Sequence, residues 1–199
     1  MTYIQDWQRA LGISADGQFG PDTLKASLAL LPAVPLASEL PWISAMKAVY
    51  GLHEVRDKAR LQQWLKSDGK TLGDPAALPW CGDAVETAIR LALPGEPLPG
   101  ALGQNPYYAR NWGLFGHEAK GYGSIGVFER GPTSGHVGFL VGEDKDCYHV
   151  LGGNQSDSIG VTRIVKARLL HARWPDTWDD PPKPLPQKTA SLPVSVNEV

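Results

Sequence analysis

Short apolar segments follow one another between residues 124 and 174, and they restrict the possible folds more than any other feature of the chain. The segments are SIGVFE, HVGFLVG, CYHVLGG, GVTRIV and LLHARW. Glycine and charged residues separate them, as is typical of β-strands joined by turns. The connections are too short for crossovers, so the spacing predicts that the strands are antiparallel.

Helical periodicity characterises the chain before these strands. Apolar side chains recur at helical spacing over residues 42–50 and 58–67, and Asp57 is a candidate N-cap of the second helix. A further helix has its apolar positions within 85–92, and a short helix is expected to begin at Asn105. Because helices come first and strands second, the pattern predicts an α+β domain with helices packed on an antiparallel sheet.

Composition divides the chain into four parts. Residues 1–31 are expected to form a small helical segment, and residues 32–41 a linker, since the three prolines there cannot continue a helix. Residues 42–175 are the main domain. Residues 176–199 are proline-rich and lack periodicity, which predicts a largely disordered tail.

The N-terminal segment combines two short helices with a glycine-rich turn. Ile4, Trp7 and Leu11 share one helical face, Gly12 can end the first helix, and Pro21 suits the start of the second. The segment is smaller than domains that usually fold alone.

Over residues 3–28 this segment resembles one unit of the helical peptidoglycan-binding repeat. The matching residues are Trp7, Gln8, Asp16, Gly17, Gly20 and Thr23. The resemblance implies that the segment binds bacterial wall polymer. Docking onto the main domain is the alternative.

Charge and cysteine content exclude several classes of protein. The net charge is −2 and the pI is near 6.2, without a run of Lys or Arg, which argues against nucleic-acid partners and anionic membrane surfaces. Two cysteines are too few for a disulfide framework, and the histidines show no metal-site spacing. Since no stretch of about 20 residues is apolar enough to span a bilayer, membrane insertion is not expected either.

The start of the chain, MTYIQDWQRALGISADGQFG, lacks the basic and apolar regions of a secretory signal. We therefore expect synthesis in the cytoplasm. A target in the periplasm or cell wall would be reached after release by a holin-type pore or a secretion system.

Cys81 stands at the start of a predicted helix. There, unpaired N–H groups and the positive end of the helix dipole stabilise a thiolate and lower its pKa. The position therefore favours a nucleophile. An inert buried thiol and a disulfide with Cys147 are the alternatives.

A candidate base and a candidate orienting residue follow. His136 begins a strand among small residues, where it could take the thiol proton and later protonate a leaving amine. Asn154, in the loop LGGNQSD, is expected to fix the imidazole tautomer, with Gln155 and Asp157 as substitutes. In an antiparallel hairpin the numbers of paired residues have a constant sum, and a turn at residues 144–145 makes that sum about 289 or 290. With a sum of 290, Asn154 lies opposite His136.

The segments PWCGDAVE, GHVGFLVGE and LGGNQSD, in this order, resemble the papain-like peptidoglycan hydrolases of the NlpC and CHAP type over roughly residues 42–174. The resemblance implies a papain-like fold, with Cys81 as nucleophile, His136 as base and Asn154 as orienting residue. It implies no metal or organic cofactor.

Further residues are candidates for holding the oxyanion or the substrate. They are Trp80, Gly82, Asp83 and Gln155. Trp80 and Gly82 stand where many NlpC-type enzymes have Asp and Ser, so their bond specificity is not carried over. Asp83 and Glu86 most simply complement the helix dipole, although Asp83 could touch substrate.

The expected function is hydrolysis of an amide bond in the peptide stems or cross-links of peptidoglycan by a Cys-His-Asn thiol mechanism. A monomeric phage or prophage endolysin is the favoured form. A secreted antibacterial effector is one alternative. A non-catalytic wall-binding or structural protein, in which Cys81 is merely buried or oxidised, is the other.

Overall fold

The chain divides into two compact units, Met1–Glu39 and Leu40–Val199. The computed structural model describes residues 3–18, 20, 22–23, 26 and 39–195. The boundary between the units falls within the predicted linker 32–41, of which residues 32–38 lie outside the described part of the chain.

The N-terminal unit begins with helix α1, Tyr3–Ala10. Gly12 ends this helix as predicted: its φ of 71° lies in the left-handed region, and its N–H donates to the carbonyl of Arg9 at 3.0 Å. The second predicted helix is described only in part, at the helical residues Asp22, Thr23 and Ala26. The rest of that helix lies outside the described residues.

Polar contacts organise this unit around the buried side chain of Gln8. Its Nε2 donates to Asp16 Oδ1 at 2.6 Å and to Thr23 Oγ1 at 2.9 Å, and its Oε1 accepts the Gly17 N–H at 2.8 Å. Trp7, on the face predicted to be apolar, is 41% exposed. Four of the residues that resemble the peptidoglycan-binding repeat therefore hold the turn to the helix, and the tryptophan stays accessible.

In the described part of the second unit, helices precede the sheet. They are α2, Pro41–Lys47; α3, Lys58–Leu65; α4, Cys81–Ala92; α5, Gly100–Gln104; and a 3₁₀-helix, Ala109–Leu114. The N-terminal boundary of α3 follows Asp57 as predicted. The helix expected to start at Asn105 starts later, at Ala109, because Asn105 caps the C-terminus of α5.

The strands of this unit form one antiparallel sheet in the order β1-β6-β2-β3-β4-β5. They are β1, His117–Glu118; β2, Ile125–Glu129; β3, Gly135–Glu143; β4, Cys147–Gly152; β5, Gly160–Val165; and β6, Leu169–Trp174. Each strand predicted from the sequence is present with its ends within one residue. The short β1 was not predicted. The domain is α+β.

Both faces of the sheet are apolar, because alternate residues of each strand point to opposite faces. Phe139 and Leu151 join the main core with residues of the helices, including Ile89 of α4. Leu140 and Val150, their neighbours in sequence, belong to a second buried cluster. Helix α4 therefore lies against one face, and its first turn is held near the middle of the sheet.

Residues 176–195 belong to the segment whose composition predicted a largely disordered tail, and in the structure they make defined contacts. The Glu143 N–H donates to the carbonyl of Pro186 at 3.0 Å, and the Ser195 N–H donates to the carbonyl of Arg163 at 2.8 Å. Composition misled here because the partners of these proline-rich residues lie far away in sequence. Residues 196–199 lie outside the described part of the chain.

Candidate functional site

Cys81 is the first residue of α4, as the sequence predicted. The helix start lies very close to the backbone between α5 and the 3₁₀-helix: a Cβ on Gly82 would stand 2.5 Å from the carbonyl oxygen of Tyr107 and 2.6 Å from that of Pro106. Such a contact is too short for any side chain. Glycine is therefore required after Cys81 for the first turn to reach its position.

The Cys81 thiol is buried, with 5% of the residue exposed. Burial raises its pKa, while the backbone N–H groups of Val137 and Gly82 and the positive charge of Arg130 act to lower it. The lowered pKa expected from the helix start alone is therefore wrong, because desolvation outweighs the N–H groups. The resting side chain is a neutral thiol that needs a base to remove its proton.

The disulfide alternative is wrong, because Cys81 and Cys147 are both free thiols. Cys147 opens β4 and is 1% exposed. Burial raises its pKa as well. Cys147 thus fits the description of an inert core thiol.

His136 is the second residue of β3, the strand whose backbone faces the cysteine. The sulfur of Cys81 faces the N–H of Val137, which directly follows His136 in sequence. The His136 side chain is completely buried, and its Nε2 lies 3.0 Å from Oε1 of Gln155. The structure therefore brings the predicted nucleophile to the start of the strand that carries the predicted base.

The Gln155 amide fixes the tautomer of His136. Its Nε2 donates to the carbonyls of Gly160 at 2.6 Å and of Val150 at 3.1 Å, which orients the amide oxygen toward the imidazole. An amide oxygen only accepts, so the proton of the neutral imidazole resides on Nε2. Nδ1 is then the basic nitrogen.

The predicted register is found in only part of the hairpin, and it does not put Asn154 on the imidazole. Next to the turn, Gly142 pairs with His149, so the residue numbers sum to 291. Beyond an irregularity in β3, Phe139 pairs with Leu151 and the sum is 290, yet β4 ends at Gly152 before the register reaches His136. Asn154 has a φ of 55°, which turns the chain out of the strand direction. The next residue, Gln155, makes the contact with His136 that we expected of Asn154.

The loop that carries Gln155 has an unusual backbone. Besides Asn154, Ser156 and Asp157 have positive φ values of 51° and 58°, which non-glycine residues rarely adopt. The connection between α2 and α3 holds this loop: the Glu54 N–H donates to the carbonyl of Asp157 at 2.9 Å. This external support keeps the strained loop, and with it Gln155, in place.

Trp80 joins the same loop to the helix start. The ring is buried, and its Nε1 donates to Glu54 Oε2 at 2.8 Å. A Cβ on Gly153 would stand 2.5 Å from the Trp80 ring and 2.7 Å from Cβ of Ala84. Trp80 and Gly153 of the two motifs are therefore needed for packing α4 against the loop.

A cleft of about 320 Å³ lies beside the start of α4. Its walls come from residues 75–79, Glu54, Arg130, Asn154 and Asp157. It reaches Pro79, two residues before Cys81. Glu54 and Arg130 were not among the residues predicted for the site, because no local pattern distinguishes them from other charged residues near turns.

Two carboxyl groups on α4 are buried behind the cysteine. Asp83 and Glu86 are each 1% exposed, although both were expected simply to complement the helix dipole. Oδ2 of Asp83 accepts from Thr71 Oγ1 and from the Leu72 N–H, both at 3.0 Å. Burial raises the pKa of Asp83 to about 6 and that of Glu86 to about 7. Asp83 therefore ties the segment before the cleft wall to α4.

Within the described ranges, no three His, Cys, Asp or Glu side chains are grouped in a way that could hold a metal ion. Nor does that part of the chain contain a helix long and apolar enough to cross a membrane. The chain matches no protein-family model, no curated protein and no solved structure.

Proposed function

We propose that the second unit is a papain-like thiol hydrolase that cleaves an amide bond in the peptide part of peptidoglycan. One observation carries most of the argument: a cysteine at a helix N-terminus adjoins the start of the strand on which a histidine is held by a side-chain amide. Thiol hydrolases need this combination, because the neutral thiol must lose its proton to a correctly oriented imidazole.

In the proposed reaction, His136 Nδ1 accepts the proton of Cys81 while the sulfur forms a bond to the carbonyl carbon of the substrate. N–H groups at the start of α4 stabilise the resulting oxyanion. The C–N bond then breaks, and His136 gives its proton to the leaving amine. Water hydrolyses the thioester, which releases a carboxylic acid and restores the Cys81 thiol.

Gln155 takes the orienting role in this mechanism. Its amide nitrogen is held by the carbonyls of Val150 and Gly160, and its amide oxygen accepts the N–H of His136 Nε2. Nδ1 of His136 is then the proton acceptor. Asn154, which lines the cleft, is assigned to the substrate side instead.

Two features support peptidoglycan as the substrate. The motifs around Cys81, His136 and Gln155 resemble those of the NlpC and CHAP hydrolases. The first unit resembles a peptidoglycan-binding repeat and leaves Trp7 accessible. We further propose that the protein is a phage or prophage endolysin, with an injected antibacterial effector as the alternative.

The test is to incubate the protein with purified peptidoglycan and to identify the soluble fragments by mass spectrometry. We expect fragments with a new amino group and a new carboxyl group at one type of amide bond. Fragments formed by cleavage between sugars, or no fragments from walls of several chemotypes, would contradict the proposal.

Substitution of Gln155 by alanine is expected to lower kcat about 10- to 100-fold, because the imidazole would lose the partner that sets its tautomer. Asn154→Ala is the matched control and is expected to change KM more than kcat. Turnover of soluble fragments should be compared under the same conditions. A larger loss of kcat in Asn154→Ala than in Gln155→Ala would return the orienting role to Asn154.

Deletion of residues 1–39 is expected to weaken co-sedimentation with insoluble peptidoglycan and to reduce its hydrolysis by about tenfold, since tethering raises the local substrate concentration. Hydrolysis of a soluble muropeptide should be unchanged. Equal loss on both substrates would show that the first unit is needed for folding of the second rather than for attachment to the wall.

A further inference from the structure

Arg130 stands out among the arginines of the second unit. It follows β2 directly, is half-buried and lines the cleft that reaches Pro79, two residues before Cys81. Within the described part of the chain, its guanidinium forms neither a hydrogen bond nor an ion pair; its backbone N–H donates to Ser134. Nearby Arg110, in contrast, donates from Nε to the Ser134 carbonyl at 2.9 Å. The Arg130 side chain therefore has no structural task that would explain its place in the cleft.

A half-buried guanidinium is costly when its donors lack acceptors. Its planar fork matches a carboxylate, which can accept two parallel hydrogen bonds. An uncharged carboxamide offers one oxygen and no charge. The side chain thus fits a ligand that brings a free carboxylate into the cleft.

The other charged groups in the cleft leave this position open to a carboxylate. Glu54 and Asp157 line the same cleft, but neither forms an ion pair with Arg130 among the described residues. Glu54 is engaged by Nε1 of Trp80 at 2.8 Å. Because both acidic side chains repel an anion, Arg130 is the place in the cleft where a ligand carboxylate is favoured.

The position of Arg130 also connects it with the reacting atoms. Its positive charge acts on the Cys81 thiol, so the two side chains lie within electrostatic range. Pro79, on the facing segment, is two residues from the nucleophile. A carboxylate on the guanidinium would therefore belong to a substrate residue close to the bond that is cut.

We propose that Arg130 binds a free carboxylate of the substrate next to the amide bond that Cys81 attacks. This inference rests on the proposed function and deepens it, because it restricts the substrate to peptide stems with an unmodified carboxylate at that place. Stems in which the carboxylate is amidated would be poor substrates.

Equilibrium binding to Cys81→Ala, which cannot turn substrate over, tests the inference. The probe is the synthetic stem peptide L-Ala-γ-D-Glu-L-Lys-D-Ala in three forms: both carboxylates free, the D-Glu α-carboxylate amidated, and the C-terminal carboxylate amidated. We expect one amidated form to bind at least about tenfold more weakly than the free form.

The double variant Cys81→Ala, Arg130→Gln should bind the free form with the same loss and should no longer distinguish the three peptides. Arg130→Lys keeps the positive charge but lacks the planar guanidinium, so it should retain part of the preference for the free carboxylate. This variant gives a second measurement if the glutamine variant does not fold. Arg60→Gln, which removes an exposed positive charge from α3, is the control and should keep the full preference.

Equal affinity for the three peptides, absence of binding, or a preference that survives Arg130→Gln would overturn the inference. Hydrolysis is judged separately from the release of wall fragments by the unaltered protein. A protein that cuts walls without the preference keeps the proposed function and loses this specificity. A protein that shows the preference but cuts nothing keeps the carboxylate site and loses the hydrolase assignment.

Discussion

Cys81→Ala is expected to abolish hydrolysis of peptidoglycan, because the reaction has no other nucleophile at the start of α4. The loss should be at least about 10⁴-fold, the scale on which removal of a covalent nucleophile acts. Cys147→Ser is the matched control. Cys147 lies in the core of the sheet, so its substitution is expected to reduce stability slightly and to leave the rate constant for cleavage nearly unchanged.

The rate of alkylation separates a nucleophile from an inert thiol. Because burial raises the pKa of Cys81, its reaction with iodoacetamide should depend on His136 as the proton acceptor. We expect Cys81 to be alkylated faster than Cys147 and to become slow in His136→Ala. Residual wall hydrolysis in Cys81→Ala, or equal alkylation of both cysteines, would support the alternative of a non-catalytic wall-binding protein.

The sheet could be predicted from sequence because its information is local. Turn residues mark the ends of each strand, and short connections join β2 to β5 as antiparallel neighbours. The exception is β6, which follows β5 after three residues and yet pairs with β2. The hairpin between β3 and β4 was predicted from its turn, but its register shifts by one residue between Leu140 and Gly142, which the sequence pattern did not indicate. The helix beginning at Cys81 was equally local, since its apolar spacing continues to Ala92.

Much of the site depends on contacts between segments that are distant in sequence, and such contacts could not be predicted from local patterns. The choice between Asn154 and Gln155 turns on a single positive φ at the end of β4, which is held by residues near Glu54. Arg130 becomes part of a cleft only when the hairpin after β2 meets the segment before α4. The periodicity of a sequence contains no information about such contacts between distant segments.

The buried acids of α4 are the clearest example, because Asp83 and Glu86 occupy positions where exposed carboxylates usually stabilise a helix. Here both are buried, and Thr71 and Leu72 of the segment before α4 donate to Asp83. Asp68 faces both carboxyl groups electrostatically and disfavours their ionisation, while Lys70 and Arg90 favour the charged form of Glu86. The folded protein therefore retains protons on α4 at pH values where an unfolded chain has lost them.

Glu86→Gln is accordingly expected to stabilise the protein above neutral pH, by on the order of 3 kcal/mol near pH 8. Burial raises the Glu86 pKa from 4.5 to about 7, so the folded state binds the proton more tightly than the unfolded state. The stability that this proton confers is complete at acidic pH and is lost as the pH rises from about 4.5 to about 7. Glutamine is neutral throughout and avoids that loss.

Denaturant unfolding of both proteins between pH 4 and pH 8 measures the difference. The curves should lie close together near pH 4 and separate as the pH rises, and a smaller decline should remain in Glu86→Gln because Asp83 titrates with a raised pKa of about 6. Glu129→Gln is the control, since that side chain is 55% exposed and its substitution should not change the slope. Parallel curves for Glu86→Gln and the unaltered protein would mean that Glu86 is ionised in the folded state at neutral pH, with its charge balanced by Lys70 and Arg90.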